Sequence, residues 1–393
     1  MATTVEIGTI RGFVLDSAEQ GVLDQDTLGG LAFVDVTDKL ASLSIQRGKN
    51  RDLERYSAGS LDVMFNNEDR FFDPVVGTAI DLVPRVPIRV FMDGTAQFYG
   101  SVNDWNFAYS TSGKSDANVT ATDDFQFLAN RPIDATGSSV SQTTGERVEA
   151  VLDMLTVAWP SDRRDIDTGN VTLGTGVFEG ENSLEYLQLV EQTEQGQLFI
   201  AKNGDLTFRS QEASAPSSGS LVAFADDGTG IPFVNAEIDY GSELMANRAV
   251  VQSPGGTAIA TDDLSILNYG IIERTYNVLN ADPAVLTDIA DYIVQRYADP
   301  KLRFAAITVN VDSLGTADRA SVLGLEISDV VSVTFTPNQT GSAIERFGQV
   351  IRIQHSESPG RHDVTFGFNS LEFAPFVLDD LVFGKLDTGR LGF

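Results

Sequence analysis

Three landmarks occur in the same order at two places in this 393-residue chain. At the first, Val63 sits in an alternating stretch, Tyr99-Gly100-Ser101-Val102 follows, and Val119-Thr120 ends the set. At the second, Val309 is followed by Phe347-Gly348-Gln349-Val350 and then by Val364-Thr365. The valine-to-glycine intervals are 37 (63 to 100) and 39 (309 to 348). An aromatic, a glycine, a polar residue and a valine repeated at matched spacing point to duplication of one unit. Glycine after an aromatic suits a strand that bends sharply.

The local pattern makes that unit β. Leu61, Val63 and Phe65 alternate with Asp62, Met64 and Asn66, the period of a strand with one face in a core. Gly59 precedes it, and Asn66-Asn67-Glu68-Asp69 reads as a turn. Phe71-Phe72-Asp73-Pro74 then stops the strand, because proline cannot donate to a ladder. Ile88, Val90 and Met92 alternate up to the hairpin turn Asp93-Gly94. Phe98 to Val102 returns, Trp105 and Phe107 extend it, and Ala117 to Ala121 is a further strand. Thr122-Asp123-Asp124-Phe125 opens a turn of helix. Residues 31–133 are therefore expected to form a first β-barrel.

Residues 134–211 are expected to be an α+β module, entered through the Ser/Thr/Gly-rich stretch 134–145. Thr144 reads as the cap of a helix with Val148, Val151, Leu152 and Leu155 on one face. Asn182 caps a second helix, with Glu185 placed to reach back and Gly196 expected to end it. Asn203-Gly204 turns a hairpin between Leu198–Ile200 and Leu206–Phe208. A second low-complexity joint, 212–220, leads into 212–370, a second β-barrel with a helix over 283–299 opened by Asp282-Pro283. The expected fold class is mainly β with an α+β insert: two tube-like β-barrel domains and a small central α+β module.

The two ends repeat each other. Phe13-Val14-Leu15-Asp16 and Phe376-Val377-Leu378-Asp379 both open the pattern F-V-L-D-x4-G-x-L-D-x3-L-G without a gap. Each copy reads as a small hairpin, either tidying a terminus or docking the chain to neighbours. Segments 1–30 and 371–393 are taken as docking segments, the second repeating 13–29.

Charge and motifs narrow the function. A net charge of −29 opposes the counterion-release mode of nucleic-acid binding. It suits solubility, or a surface along which nucleic acid slides without sticking. With no cysteine there is neither a disulfide nor a thiolate metal site. No apolar run approaches the ~18 residues of a membrane span, and MATTVEIGTIRG is no secretory signal. There is no His-Glu-x-x-His helix, G-x-S-x-G elbow or phosphate loop ending in Gly-Lys-Ser/Thr. His355 and His362 are expected at the surface; they could meet only across a hairpin. Asp226-Asp227-Gly228 lacks the spaced ligands of a calcium loop. No catalytic residue, cofactor or metal is expected.

Tyr56 to Pro74, Gly196 to Phe208 (GQLFIAKNGDLTF) and the stretch before Pro300 (IADYIVQRYADP) resemble tail hub proteins (minor tail or baseplate hub) of long-tailed bacteriophages. The resemblance covers about residues 10–380. It implies a non-enzymatic structural virion protein at the tail tip, assembled in the host cytoplasm and joining tail tube to tail tip. It also implies a homotrimer, in which three chains of two barrels each surround one axis. The implied partners are a distal tail protein, a tape measure protein and tail-tip or fibre proteins, with DNA passing through without specific binding. The alternatives are a distal tail protein, which has one such barrel, and a carbohydrate- or receptor-binding tail-tip protein with Trp105 and Phe107 or Tyr109 as its platform. Expected interaction residues are Phe13, Val14 and Leu15, Phe71 and Phe72, and Phe376, Val377 and Leu378.

Overall fold

The computed structural model describes residues 2–10, 31–75, 80, 82–133, 140–175, 182–211, 221–280, 282–371, 374–375 and 389–390. The sites expected at Phe13, Val14, Leu15, Phe376, Val377 and Leu378 lie outside the described residues, as do linker positions 134–139 and 212–220.

The first β unit contains β1 (Thr3–Ile10), β2 (Leu31–Asp35), β3 (Leu40–Gly48), β4 (Ser57–Asn66), β5 (Pro87–Met92), β6 (Thr95–Tyr109) and β7 (Ser115–Thr122). Its spatial order is β3-β4-β7-β6-β5-β1-β2, and every pairing is antiparallel. Leu61, Val63 and Phe65 of β4 are buried, while Asp62, Met64 and Asn66 are exposed. That is the alternation expected of a half-buried strand. Asp93 and Gly94 both adopt positive φ in the β5–β6 turn, the requirement of a tight hairpin that follows sheet twist. The short α1 (Phe125–Ala129) turns Phe125 and Leu128 into the core.

The central module contains β8 (Gln142–Thr143), α2 (Thr144–Leu152), β9 (Arg164–Ile166), β10 (Thr172–Leu173), α3 (Ser183–Glu194), β11 (Gln197–Ile200) and β12 (Leu206–Arg209). Thr143, one residue before the expected cap, closes a capping box with Glu146. Asn182 caps α3 as expected, accepting from Leu184 and Glu185. The left-handed residue that ends α3 is Gln195, not Gly196. Gly196 is needed for another reason: a Cβ there would lie 2.2 Å from the Arg209 carbonyl oxygen.

The last part contains β13 (Val222–Ala225), β14 (Asn235–Asp239), β15 (Arg248–Ser253), β16 (Gly256–Thr261), α4 (Asp263–Tyr269), β17 (Glu273–Asn277), α5 (Pro283–Tyr297), β18 (Arg303–Asn310), α6 (Thr316–Gly324), β19 (Val330–Phe335), β20 (Ile344–Ser358) and β21 (Arg361–Leu371). Its main sheet runs β14-β18-β21-β20-β19-β13. That order reproduces β3-β4-β7-β6-β5-β1. Gly100 opposes Ile88 in the first unit, and Gly348 opposes Val331 in the second. A bulge follows Val102 in one and Val350 in the other. The two copies differ in one direction: β1 lies antiparallel to β5, whereas β13 lies parallel to β19.

The helix over 283–299 does not line the second β unit. With the separate sheet β16-β15-β17 it forms a layer inserted between β14 and β18. This insert has its own core, in which Leu286, Ile289 and Ile293 of α5 pack against Ala249 and Val251. The small residues on the strands let the helix approach the sheet closely. A second apolar cluster is continuous through both β units and the central module.

Candidate functional site

The two β units share one sheet. Strand β20 pairs with β21 on one side; on the other it pairs first with β19 and then, from Arg352 to Glu357, with β3 of the first unit. The joint is six residues long and antiparallel, from Gly48 opposite Arg352 to Leu43 opposite Glu357. Gly48 has φ +102, and a Cβ there would lie 2.1 Å from the Ile351 carbonyl oxygen. Only glycine fits that close approach.

Charges lock the same place. Arg47, 2 % exposed, donates to Glu326 Oε1 at 2.7 Å. The other oxygen of Glu326 accepts from the backbone N–H of Lys202 in the central module at 2.8 Å. Lys202 Nζ donates to the carbonyls of Leu323, Gly324 and Leu325 at the end of α6. Gln97 of β6 adds a bond to the Leu323 carbonyl at 3.0 Å. A cation at a helix C-terminus meets the negative end of the helix dipole and its orphan carbonyls. Burial lowers the Lys202 pKa, and Glu326 opposes that shift. Both β units and the module thus converge on one carboxylate and one helix end.

His355 and His362 lie beside this joint, and their placement overturns the expectation of surface residues. The β20–β21 hairpin brings them together, with Nδ1 of His355 3.1 Å from Nε2 of His362. Both are 1 % exposed. Burial, then the neighbouring His362, holds His355 well below the usual imidazole range. Burial lowers His362 to about 4, although Asp312, Asp363 and Asp93 pull the other way. The unfolded chain takes up protons near pH 6.5, so it binds more protons than the folded chain between about 6.5 and 4. Stability from this pair should therefore be complete above about pH 6.5 and fall as pH drops toward 4. With two histidines in the chain, proton NMR reads the effect directly. A folded-state resonance titrating near pH 6.5 would contradict the buried neutral pair.

Phe72 belongs to the core and not to an interface. It is 0 % exposed and stacks on Phe65 at 4.8 Å, with Phe71 edge-on at 5.0 Å. Asn67 clamps the segment, donating to the Phe72 carbonyl at 3.1 Å and accepting from its N–H at 2.8 Å. Phe71 is half-buried, with Lys39 Nζ 5.5 Å from its ring centre. Phe72→Ala should lower monomer stability by about 3–5 kcal/mol, the cost of emptying an aromatic core position. Thermal unfolding checks this; a loss below about 1 kcal/mol would return Phe72 to the surface.

Trp105, Phe107 and Tyr109 form a ladder along β6, with ring centres 6.4 Å and 6.5 Å apart. Trp105 and Phe107 are half-buried, while Tyr109 is 56 % exposed. Among the described residues no three His, Asp or Glu side chains group as a metal-binding set. No described helix is long and apolar enough to cross a membrane.

No family model and no curated protein matches the chain. Solved structures do. The tail protein from Neisseria meningitidis MC58 superposes with a TM-score of 0.61 at 14 % identity, covering 94 % of this chain and 96 % of that one. The chain carries a tail-protein fold. The 43 kDa tail protein of prophage MuSo2 from Shewanella oneidensis gives 0.56 at 15 % identity, over 94 % and 98 % of the two chains. The E. coli c3393 protein gives 0.51 at 9 % identity, over 85 % and 74 %. It is described as a type VI secretion component structurally similar to T4 bacteriophage tail proteins gp27 and gp5.

Arg47, Glu326, Lys202 and Gly48 were not singled out by the sequence as functional. Lys202 does fall inside GQLFIAKNGDLTF, just before the Asn203-Gly204 turn. Nothing local marks Glu326 as the partner of Arg47, because they lie 279 positions apart.

Proposed function

We propose that this chain is a tail hub, a structural protein that joins the tail tube to the tail tip around the route of the genome. The observation that carries the reading is the doubled strand order, with both copies fused into one sheet through β3 and β20. A chain that already contains two ring units needs half as many subunits to complete a ring. Three copies would present six units, matching a six-fold tube to a three-fold tip. The doubled order supports the hub over a distal tail protein with one such unit. A receptor-binding platform has less support, because Trp105 and Phe107 are half-buried. The net charge of −29 fits a channel wall that DNA passes without binding. Partners in this reading are a distal tail protein, a tape measure protein and tail-tip or fibre proteins. Light scattering on the purified chain is expected to give a trimer. A protein that stays monomeric at every concentration, and never enters a tail assembly, rules the hub out.

A further inference from the structure

Helix α4 is built inside out. Its buried side is polar: Ser265, 1 % exposed, donates to the Ala298 carbonyl at 2.6 Å and accepts from Asn247 Nδ2 at 3.1 Å. Asn247, also buried, donates to the Gly270 carbonyl at 2.7 Å and so holds the far end of the helix. On another side Leu264 and Leu267, one turn apart, are 75 % and 80 % exposed. Just beyond them Tyr269 and Ile271 are exposed as well. A surface helix ordinarily turns its apolar stripe to the core. Here buried hydrogen bonds hold the apolar stripe outward, the mark of a contact surface.

We propose that the C-terminal segment, residues 376–393, folds back onto α4 of the same chain, with Leu381, Val382 and Phe383 over Leu264 and Leu267. The place where the chain leaves the main sheet supports this. Strand β21 ends at Leu371, and two residues earlier Asn369 accepts from Arg296 Nη2 at 3.0 Å. Arg296 lies in the last turn of α5, next to the Ala298 carbonyl that anchors Ser265. The chain therefore departs beside α4. The residues after Leu371 number 22 (393 − 371). Extended chain gains about 3.3 Å per residue, so that length reaches α4 with much to spare. Composition supports it independently. Nine of the 18 residues 376–393 are Phe, Val or Leu. Where the N-terminal copy of the repeat has Ala18-Glu19-Gln20, the C-terminal copy has Leu381-Val382-Phe383. The triplet is thus fully apolar in the copy that leaves beside α4, and not in the copy that lies between β1 and β2. Lys385 and Arg390 bring positive charge toward the exposed Asp263 in the first turn of α4. A second copy would bring a further net charge of −29.

This contact lies within one chain and does not depend on the hub reading. Hydrogen exchange read by mass spectrometry on the full chain tests it from both sides. Leu381→Asp, Val382→Asp and Phe383→Asp together are expected to speed exchange across α4 at least about tenfold and to leave α5 unchanged. Leu264→Asp with Leu267→Asp is expected to speed exchange within 376–393 by at least about tenfold. Those two leucines are exposed beside a helix held by Ser265 and Asn247, so the second variant keeps its fold. Both effects are required. Equal exchange of α4 in the parent chain and the triple variant overturns the proposal, as does equal exchange of 376–393 in the parent and the double variant. Protection of α4 that fades on dilution also overturns it, because the cover then comes from a second copy.

Discussion

Replacing Glu326 with alanine is expected to destabilise the folded chain by about 3–5 kcal/mol, the cost of removing one partner from a buried ion pair. The effect follows from what stays behind. Arg47 is 2 % exposed, and its Nη1 would lose its carboxylate inside the protein. The N–H of Lys202 would lose its acceptor in the same step. The double substitution Arg47→Met with Glu326→Leu should recover part of the loss, because the arginine is no longer stranded, while the Lys202 N–H still lacks its acceptor. Urea denaturation of the three proteins makes the comparison. A Glu326→Ala loss under about 1 kcal/mol would mean that the pair behaves like a surface salt bridge.

Gly48→Ala should be nearly as damaging, for steric reasons. A left-handed backbone costs an L-residue about 1–2 kcal/mol. In addition the new Cβ would press on the Ile351 carbonyl at 2.1 Å, and a backbone atom cannot swing aside as a side chain can. The joint between β3 and β20 would have to open at that end. Faster amide exchange at Lys49, whose N–H donates to Ile351 across the joint, would report the opening. Gly94→Ala is the control, since that glycine also has positive φ but no atom within 4 Å of its would-be Cβ. Equal losses at the two positions would mean that the conformational cost alone acts at Gly48.

Much of the architecture was legible because its signals are local. The alternation at Leu61 to Phe65, the Asp93-Gly94 and Asn203-Gly204 turns and the Asp282-Pro283 helix start each report on a few neighbouring residues, and each falls where expected. The paired landmarks around Gly100 and Gly348 were legible because duplication leaves a trace in spacing. The helix of residues 283–297 was legible as a helix, but the sheet it packs on was not, because an amphipathic stripe does not say which sheet it covers. Phe72 and the histidines were misplaced for the opposite reason. Their burial depends on segments far away: His355 faces Ile45 of the first unit, and Phe72 lies 6.0 Å from Trp105. No window on the sequence contains both members of such pairs.

The continuous sheet has a consequence for how the chain is made. Asn50 and Arg352, which meet across the joint, are 302 positions apart. At about 5–20 residues per second, a ribosome needs about 15–60 s to travel that distance. Throughout that interval β3 is synthesised but its partner is not, and its edge stays open to any strand of the right pattern. On a crowded messenger, the β20 of a neighbouring nascent chain would fit as well as its own. Strand exchange between copies during synthesis is therefore a built-in hazard of this design, and slowing initiation to space ribosomes apart should raise the yield of correctly joined protein.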